Sequence, residues 1–188
     1  MIQLFIGLGW VRAAVEKLID PQWWSGDTLG VFLTEHQAST VSWYQPFLDL
    51  IVGPNVVIIS LVVFGLQFLA GALMLSGRQI PAALAIGSFL NLHFIAAGAV
   101  TPSVFYLLAQ AAVAFWLLER SGADLNSGLR VGATAALAIA LMSVVSISTL
   151  HPAEVIDDPG IMLVTAGLIG FGACEVLHRR ANSDIGLP

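Results

Sequence analysis

Six stretches of this chain consist almost entirely of apolar residues, and each is close to the length of a helix that crosses a membrane. Such a helix needs about 20 mostly apolar residues. The pattern predicts an all-α fold, a polytopic membrane helix bundle that forms a single membrane domain over residues 1–188. The predicted transmembrane helices, about six in number, are approximately 1–19, 55–76, 81–99, 103–119, 130–149 and 160–178.

One long segment, 20–54, separates the first two stretches, and we expect it to cap the bundle from outside the membrane. Apolar residues at helical spacing predict a short interfacial helix over 28–38, namely Leu29, Phe32 and Leu33. A second helical turn is predicted over 46–53, broken by Gly53-Pro54. Four aromatic residues in the segment are typical of the membrane–water interface: Trp23, Trp24, Trp43 and Tyr44.

The positive charges predict which way the helices run. Cytoplasmic loops of membrane proteins are enriched in Lys and Arg, and the loops 20–54, 100–102 and 150–159 contain neither residue. The arginines border the opposite loops and the C-terminal end: Arg78, Arg120, Arg130, Arg179 and Arg180. We therefore expect both termini in the cytoplasm and the chain in the plasma membrane of a prokaryote.

The composition of the chain limits the kinds of partner that it is expected to bind. The chain is 57% hydrophobic and only 10% charged, so the lipid bilayer is the expected surrounding of most of its surface. Its net charge of −5 and scattered basic residues offer no stripe for nucleic acid. The acidic residues of the outer loops, including Asp158 before the last stretch, are interpreted as a solubilising surface.

A single cysteine limits the chemistry the chain can carry by itself. Cys174 allows no intrachain disulfide, no CxxC pair for thiol exchange and no CxxCH haem attachment. We also find no spacing typical of a metal site, so the predicted set of metal ligands is empty.

Ionisable and amide side chains inside the predicted membrane helices are the candidates for function, because they are costly there. Arg12, Glu16 and Lys17 lie in the first helix, and Asn91 and His93 lie in the third, in the middle to outer half of the bundle. A structural interpretation stays open: Arg12 and Glu16, four residues apart, form an ion pair that lowers the insertion cost. Other polar or small residues are assigned to helix packing: Gln67, Gln110, Gly167, Gly170 and Gly172. For the two glutamines, which are predicted near the midplane of the membrane, lining a cavity stays open as the alternative.

Two groups of motifs resemble the DoxX-like membrane family, which includes DoxD, the small subunit of thiosulfate:quinone oxidoreductase. The first group is Gly9-Trp10-Val11-Arg12 followed by Glu16-Lys17-Leu18, and the second is Asn91-Leu92-His93-Phe94. Family members commonly have four core helices, whereas six are predicted here. The resemblance implies a redox role, a quinone as electron acceptor and protein partner subunits in a membrane complex.

The first functional hypothesis is a membrane subunit of a quinone-linked oxidoreductase with a polar pocket in the outer half of the bundle. Arg12, Lys17 and His93 are its candidate catalytic residues, since a quinone carbonyl needs hydrogen-bond donors and its reduction needs protons. The candidate cofactor-binding residues are Trp10, Glu16 and Asn91. Two alternatives stay open, a non-catalytic accessory or scaffold subunit of a larger complex and, ranked last, a small transporter.

Overall fold

The computed structural model describes residues 1–121, 126–151 and 154–183, and over these residues it confirms the all-α prediction, with no strand. The side chains of Arg120 and Arg180, two of the arginines that predict the orientation of the helices, lie outside the described part of the chain. The α-helices are α1 Ile2–Leu18, α2 Pro21–Ser25, α3 Asp27–His36, α4 Gln45–Phe47, α5 Val56–Ser76, α6 Ile80–Ala96, α7 Val100–Ser121, α8 Asn126–Val144 and α9 Pro159–Ser183.

Three helical stretches in the described chain are long and apolar enough to cross a membrane: Gln45–Ser76, Val100–Leu117 and Pro159–Arg179. Two further apolar helices are shorter, Ile80–Ala96 and Leu129–Val144. Large apolar side chains stay exposed on the outward faces of the bundle, which suits a lipid surrounding; they include Leu61, Phe68, Phe105, Leu141 and Ile169. The structure thus supports a membrane protein with three helices able to span.

Small residues set the closest helix contacts. A Cβ added at Gly71 of α5 would lie 3.0 Å from the backbone nitrogen of Val11 in α1. One added at Gly167 of α9 would lie 2.5 Å from the carbonyl oxygen of Ala136 in α8. These glycines let α1 pack along α5 and α8 along α9, as small residues do in membrane bundles. Gly172 has open space beside it, so the packing role predicted for it is not seen.

The segment between α3 and α5 folds across one end of the bundle, which we call the loop end (residues 20–54, 97–99, 145–151 and 154–158). Residues 20–54 are called the cap. The backbone N–H of Val41 donates to the carbonyl of Ala96 at 3.0 Å, and the hydroxyls of Ser42 and Ser146 are 2.9 Å apart. These bonds join the segment to the ends of α6 and α8. The segment therefore caps the bundle, and α3 lies where the short amphipathic helix was predicted.

The break predicted at Gly53-Pro54 is not present. The chain runs from α4 through a wide π-helical turn, Leu48–Val52, and a tight 3-10 turn, Gly53–Asn55, directly into α5. Such turns shift the hydrogen-bonding register, so a proline without an N–H is accommodated while the chain stays helical. The stretch Gln45–Ser76 is thus one continuous helical segment that leads from the end of the cap into α5.

Asp158 is a structural residue and not part of a solubilising surface. It is 3% exposed, and its Oδ1 accepts a hydrogen bond from the N–H of Ile161 at 2.9 Å, as an N-cap of α9 does. Its Oδ2 accepts from the backbone N–H of Ser148 at 2.8 Å and from the Ser148 hydroxyl at 2.6 Å. Burial acts to raise the pKa of this carboxyl, but the hydrogen bonds outweigh it and hold the pKa below its ordinary value.

Candidate functional site

A cavity of about 440 Å³ opens beneath the cap, between the loop-end segment and helices α1, α5 and α6. Its volume falls within the range of about 300–1,000 Å³ that is typical of small-molecule sites. Aliphatic and aromatic side chains form most of its wall. The residues that bring polar atoms to it are Lys17, Thr28, Tyr44, Gln67, His93 and Ser103.

His93, on the last turn of α6, is held in place by aromatic neighbours. Its Nδ1 lies 3.0 Å from the hydroxyl of Tyr44, a residue that is 6% exposed. The ring of Phe89 stands perpendicular to the imidazole with centroids 4.1 Å apart, and the ring of Phe47 is stacked 6.0 Å away. Either Tyr44 donates to Nδ1 or a protonated Nδ1 donates to the phenol oxygen, and in both cases Nε2 has no hydrogen-bond partner among the described residues.

Tyr44 lies in the cap, outside the membrane helices, and burial raises the pKa of its phenol above the ordinary value. The phenol therefore stays neutral at physiological pH.

Lys17, at the end of α1, brings a positive charge to the cavity. Its Nζ lies 4.6 Å from the centroid of the Trp23 ring, a cation–π contact. The indole N–H of Trp23 donates to the carbonyl oxygen of Ser60 at 3.0 Å, which fixes the ring against α5. The ammonium group is thus positioned by an aromatic face and keeps its hydrogen-bond donors for a bound molecule.

Gln67 is a buried amide at depth in the cavity wall. It lies 11 residues into α5, about 16 Å from the start of that helix at 1.5 Å per residue. The side chain is 3% exposed, and its Oε1 has no hydrogen-bond partner within the described part of the chain. Buried polar groups are normally hydrogen-bonded, so the unpaired amide is a candidate contact for a ligand.

The predicted site residues divide into three groups. Lys17 of α1 and His93 of α6 line the same cavity. Arg12 and Glu16, the second group, do not line this cavity. The Arg12 Nε donates a hydrogen bond to Glu16 Oε1 at 2.8 Å, and the two side chains are 82% and 58% exposed. Five residues of helix turn a side chain by about 140°, so Arg12 and Lys17 point away from α1 in different directions.

Trp10 and Asn91 form the third group. They are buried in the core of the bundle and do not line the cavity. The Trp10 ring lies 5.7 Å from that of Tyr106 in α7, and a Cβ added at Gly87 of α6 would lie 3.0 Å from its Nε1. Among the residues that the structure describes, neither Trp10 Nε1 nor Asn91 Nδ2 has a hydrogen-bond partner. The nearby Gln110 accepts a hydrogen bond from Ser88 at 2.9 Å, the packing contact predicted for it.

Two further residues line the cavity. For Gln67 the sequence favours helix packing, with lining a cavity as the alternative, and the structure places it in the cavity wall. Tyr44 was assigned to the membrane interface, and nothing in its local sequence indicates a contact with a residue 49 positions later.

Comparisons of the chain with protein-family models, with curated proteins and with solved structures give no match. The DoxX resemblance therefore rests on the motifs of α1 and α6.

Proposed function

We propose that the chain is a membrane subunit of a quinone-linked oxidoreductase of DoxX type, and that the loop-end cavity holds the quinone head group. The observation that carries this proposal is the arrangement of Lys17 and the His93–Tyr44 pair in an otherwise apolar and aromatic cavity. A quinone needs the same combination, because its ring is apolar and its carbonyl oxygens accept hydrogen bonds.

Each polar group has a role in this proposal. Lys17 donates to a carbonyl oxygen and stabilises the negative charge that develops on it during reduction. His93 exchanges a proton through Nε2 while Tyr44 fixes the orientation of its ring. With one cysteine and no CxxCH, the chain receives its electrons from a substrate or from a partner subunit.

The proposal includes a topology of six crossings with both termini in the cytoplasm of a prokaryote. It is supported by the arginines that flank one set of loops and by the absence of Lys and Arg from the other set. In this orientation, the loop end and the cavity beneath it face away from the cytoplasm. The helices α1, α6 and α8 also cross the membrane, with their polar ends at the two membrane–water interfaces.

Calorimetric titration of the purified protein in mild detergent with a short-tailed benzoquinone tests the proposal. We expect saturable binding, weakened at least about tenfold in His93→Leu, which loses a hydrogen bond to the ligand. His151→Gln is the matched control, since this exposed histidine at the loop end does not line the cavity. No saturable binding, or equal binding by His93→Leu, would falsify the proposal.

A second candidate function is that of a non-catalytic accessory subunit. The exposed Arg12–Glu16 pair and an apolar groove of about 470 Å³ between α6–α7 and α8–α9 favour it, because both present surface for a neighbouring helix. Purification from native membranes separates the two: recovery inside a large complex with its own cofactors, together with no quinone binding, would support the accessory function.

A further inference from the structure

Some residues that line the loop-end cavity are also exposed on the outside of the bundle, and they mark where the cavity opens. Among the described wall residues, four are exposed: Phe47, Val62, Phe89 and Pro102. Phe47 and Pro102 lie at or next to the loop end, whereas Val62 and Phe89 lie within α5 and α6 and are 48% and 53% exposed. The cavity therefore has a lateral opening between these two helices.

The two residues at the lateral opening lie at the same depth. Val62 follows Val56, the first residue of α5, by six positions, and Phe89 precedes Ala96, the last residue of α6, by seven. At 1.5 Å per residue, both are about 9–11 Å from the loop end of their helices. The hydrocarbon core of a bilayer is about 30 Å thick, so in the proposed topology the opening faces lipid acyl chains and not water.

The ionisable groups of the cavity lie nearer to the loop end than the lateral opening does. Lys17 precedes the last residue of α1 by one position, and His93 precedes the last residue of α6 by three. The polar part of the wall is therefore close to the membrane surface, and the opening is deeper. A molecule with a hydrogen-bonding head and an apolar tail has the same order of polar and apolar parts.

A row of apolar side chains on α5 continues from the opening toward the middle of the membrane. Leu66 follows Val62 by four positions and Leu69 follows Leu66 by three, a spacing that places all three on one face of the helix. Leu66 lines the cavity, and Leu69 is exposed on the surface of the bundle. The apolar wall of the cavity is thus continuous with the surface that faces lipid.

We propose that the cavity takes its ligand from the bilayer, and that the apolar tail of this ligand leaves the cavity between Val62 and Phe89. The ligand is then a quinone with a long hydrocarbon tail, whose head group reaches Lys17 and His93 while its tail stays among the lipids. This inference rests on the proposed function, since it concerns the ligand of the same site.

The test compares two quinones that share a head group, a tail-less benzoquinone and the same molecule with a decyl tail, in calorimetric titrations of the purified full chain. Val62→Trp places a large ring where the tail passes, and overpacking such a space is unfavourable. We expect this variant to bind the decyl quinone at least about tenfold more weakly than the wild type does, and to bind the tail-less quinone with unchanged affinity.

A second variant applies if Val62→Trp does not fold. In Val62→Cys, with Cys174 replaced by serine, a bulky maleimide is attached to residue 62 after purification, when the chain is already folded. Leu61→Trp is the matched control, because Leu61 is the neighbouring exposed residue of α5 and does not line the cavity. It should bind both quinones as the wild type does.

Unchanged affinity for the decyl quinone when residue 62 is enlarged overturns the lateral route for the tail and leaves the proposed function intact. An equal loss of affinity for both quinones also overturns it, because residue 62 would then contact the head group. Binding of neither quinone by the wild type overturns the proposed function instead.

Discussion

The contact between Tyr44 and His93 shows how a single hydrogen bond joins the cap to the membrane helices. The phenol hydroxyl lies 3.0 Å from His93 Nδ1, and the two rings are stacked 5.5 Å apart. A histidine with one ring nitrogen engaged in this way has a fixed ring orientation. The cap thus determines how His93 faces the cavity.

Replacing Tyr44 by phenylalanine removes the hydroxyl and keeps the ring. We expect Tyr44→Phe to lower the free energy of unfolding by about 0.5–1.5 kcal/mol and to weaken quinone binding several-fold, since His93 loses its orientation. Thermal unfolding and calorimetry measure the two effects. Tyr106→Phe is the control, because Tyr106 packs against Trp10 away from the cavity. An equal loss of quinone affinity in both variants would contradict this role for Tyr44.

At the residue scale, part of the candidate functional site could be predicted from the sequence. Ionisable residues in apolar spans are conspicuous, so Lys17 and His93 were predicted as site residues, and they line one cavity. Arg12 does not line the cavity, because it lies on another face of α1, where it pairs with Glu16. Tyr44 was not predicted, since its contact depends on how the cap folds back over α6.

The helices of this protein were largely predictable, because long apolar stretches form helices in order to satisfy their backbone hydrogen bonds in lipid. Each predicted span coincides with one of the helices α1 and α5–α9. The connections between the helices were less predictable from the sequence. The continuous course through Gly53-Pro54 depends on a π-helical turn, and such a turn leaves no distinct mark in composition.

Asp158 carries a prediction at the scale of a helix end. Its hydrogen bonds tie the start of α9 to residues 148–149, so Asp158→Ala should lower the free energy of unfolding by about 0.5–2 kcal/mol, as loss of an N-cap does. Thermal unfolding in detergent measures the change. Asp157→Ala is the control, because Asp157 is exposed and bonds to the side chain of Thr101.

The lowered pKa of Asp158 gives this contribution a pH dependence. A carboxyl whose folded pKa lies below its ordinary value of 3.8 contributes stability that is complete above that value and is lost as the pH falls through the folded pKa. The difference in thermal stability between wild type and Asp158→Asn should therefore be largest at neutral pH and shrink below pH 3.8. A difference that is constant across this range would show that the charge of Asp158 contributes nothing.

The whole molecule is a bundle of helices, and the segment 20–54 caps one end of it. The cavity lies between this cap and the helices. The cap is joined to the bundle by backbone bonds to α6, by serine hydroxyls at the end of α8, and by Trp43, whose indole N–H donates to Ser143 at 3.4 Å.

The proposed topology predicts which residues are accessible from outside an intact cell. With Cys174 replaced by serine, Leu150→Cys at the loop end should react with a membrane-impermeant maleimide in intact cells. Arg78→Cys, between α5 and α6, should react only after lysis. Labelling of Arg78→Cys in intact cells would contradict the orientation, and labelling of both positions would contradict the predicted separation of the two ends.

The most direct measurement of the central claim is photo-crosslinking of the protein in native membranes with an azido-benzoquinone, followed by mass spectrometry of the labelled peptides. We expect the label on residues that line the loop-end cavity, in the cap and in the facing parts of α5 and α6, with competition by unlabelled quinone. Label confined to the groove between α7 and α9, or label that unlabelled quinone does not displace, would contradict the claim that this cavity is a quinone site.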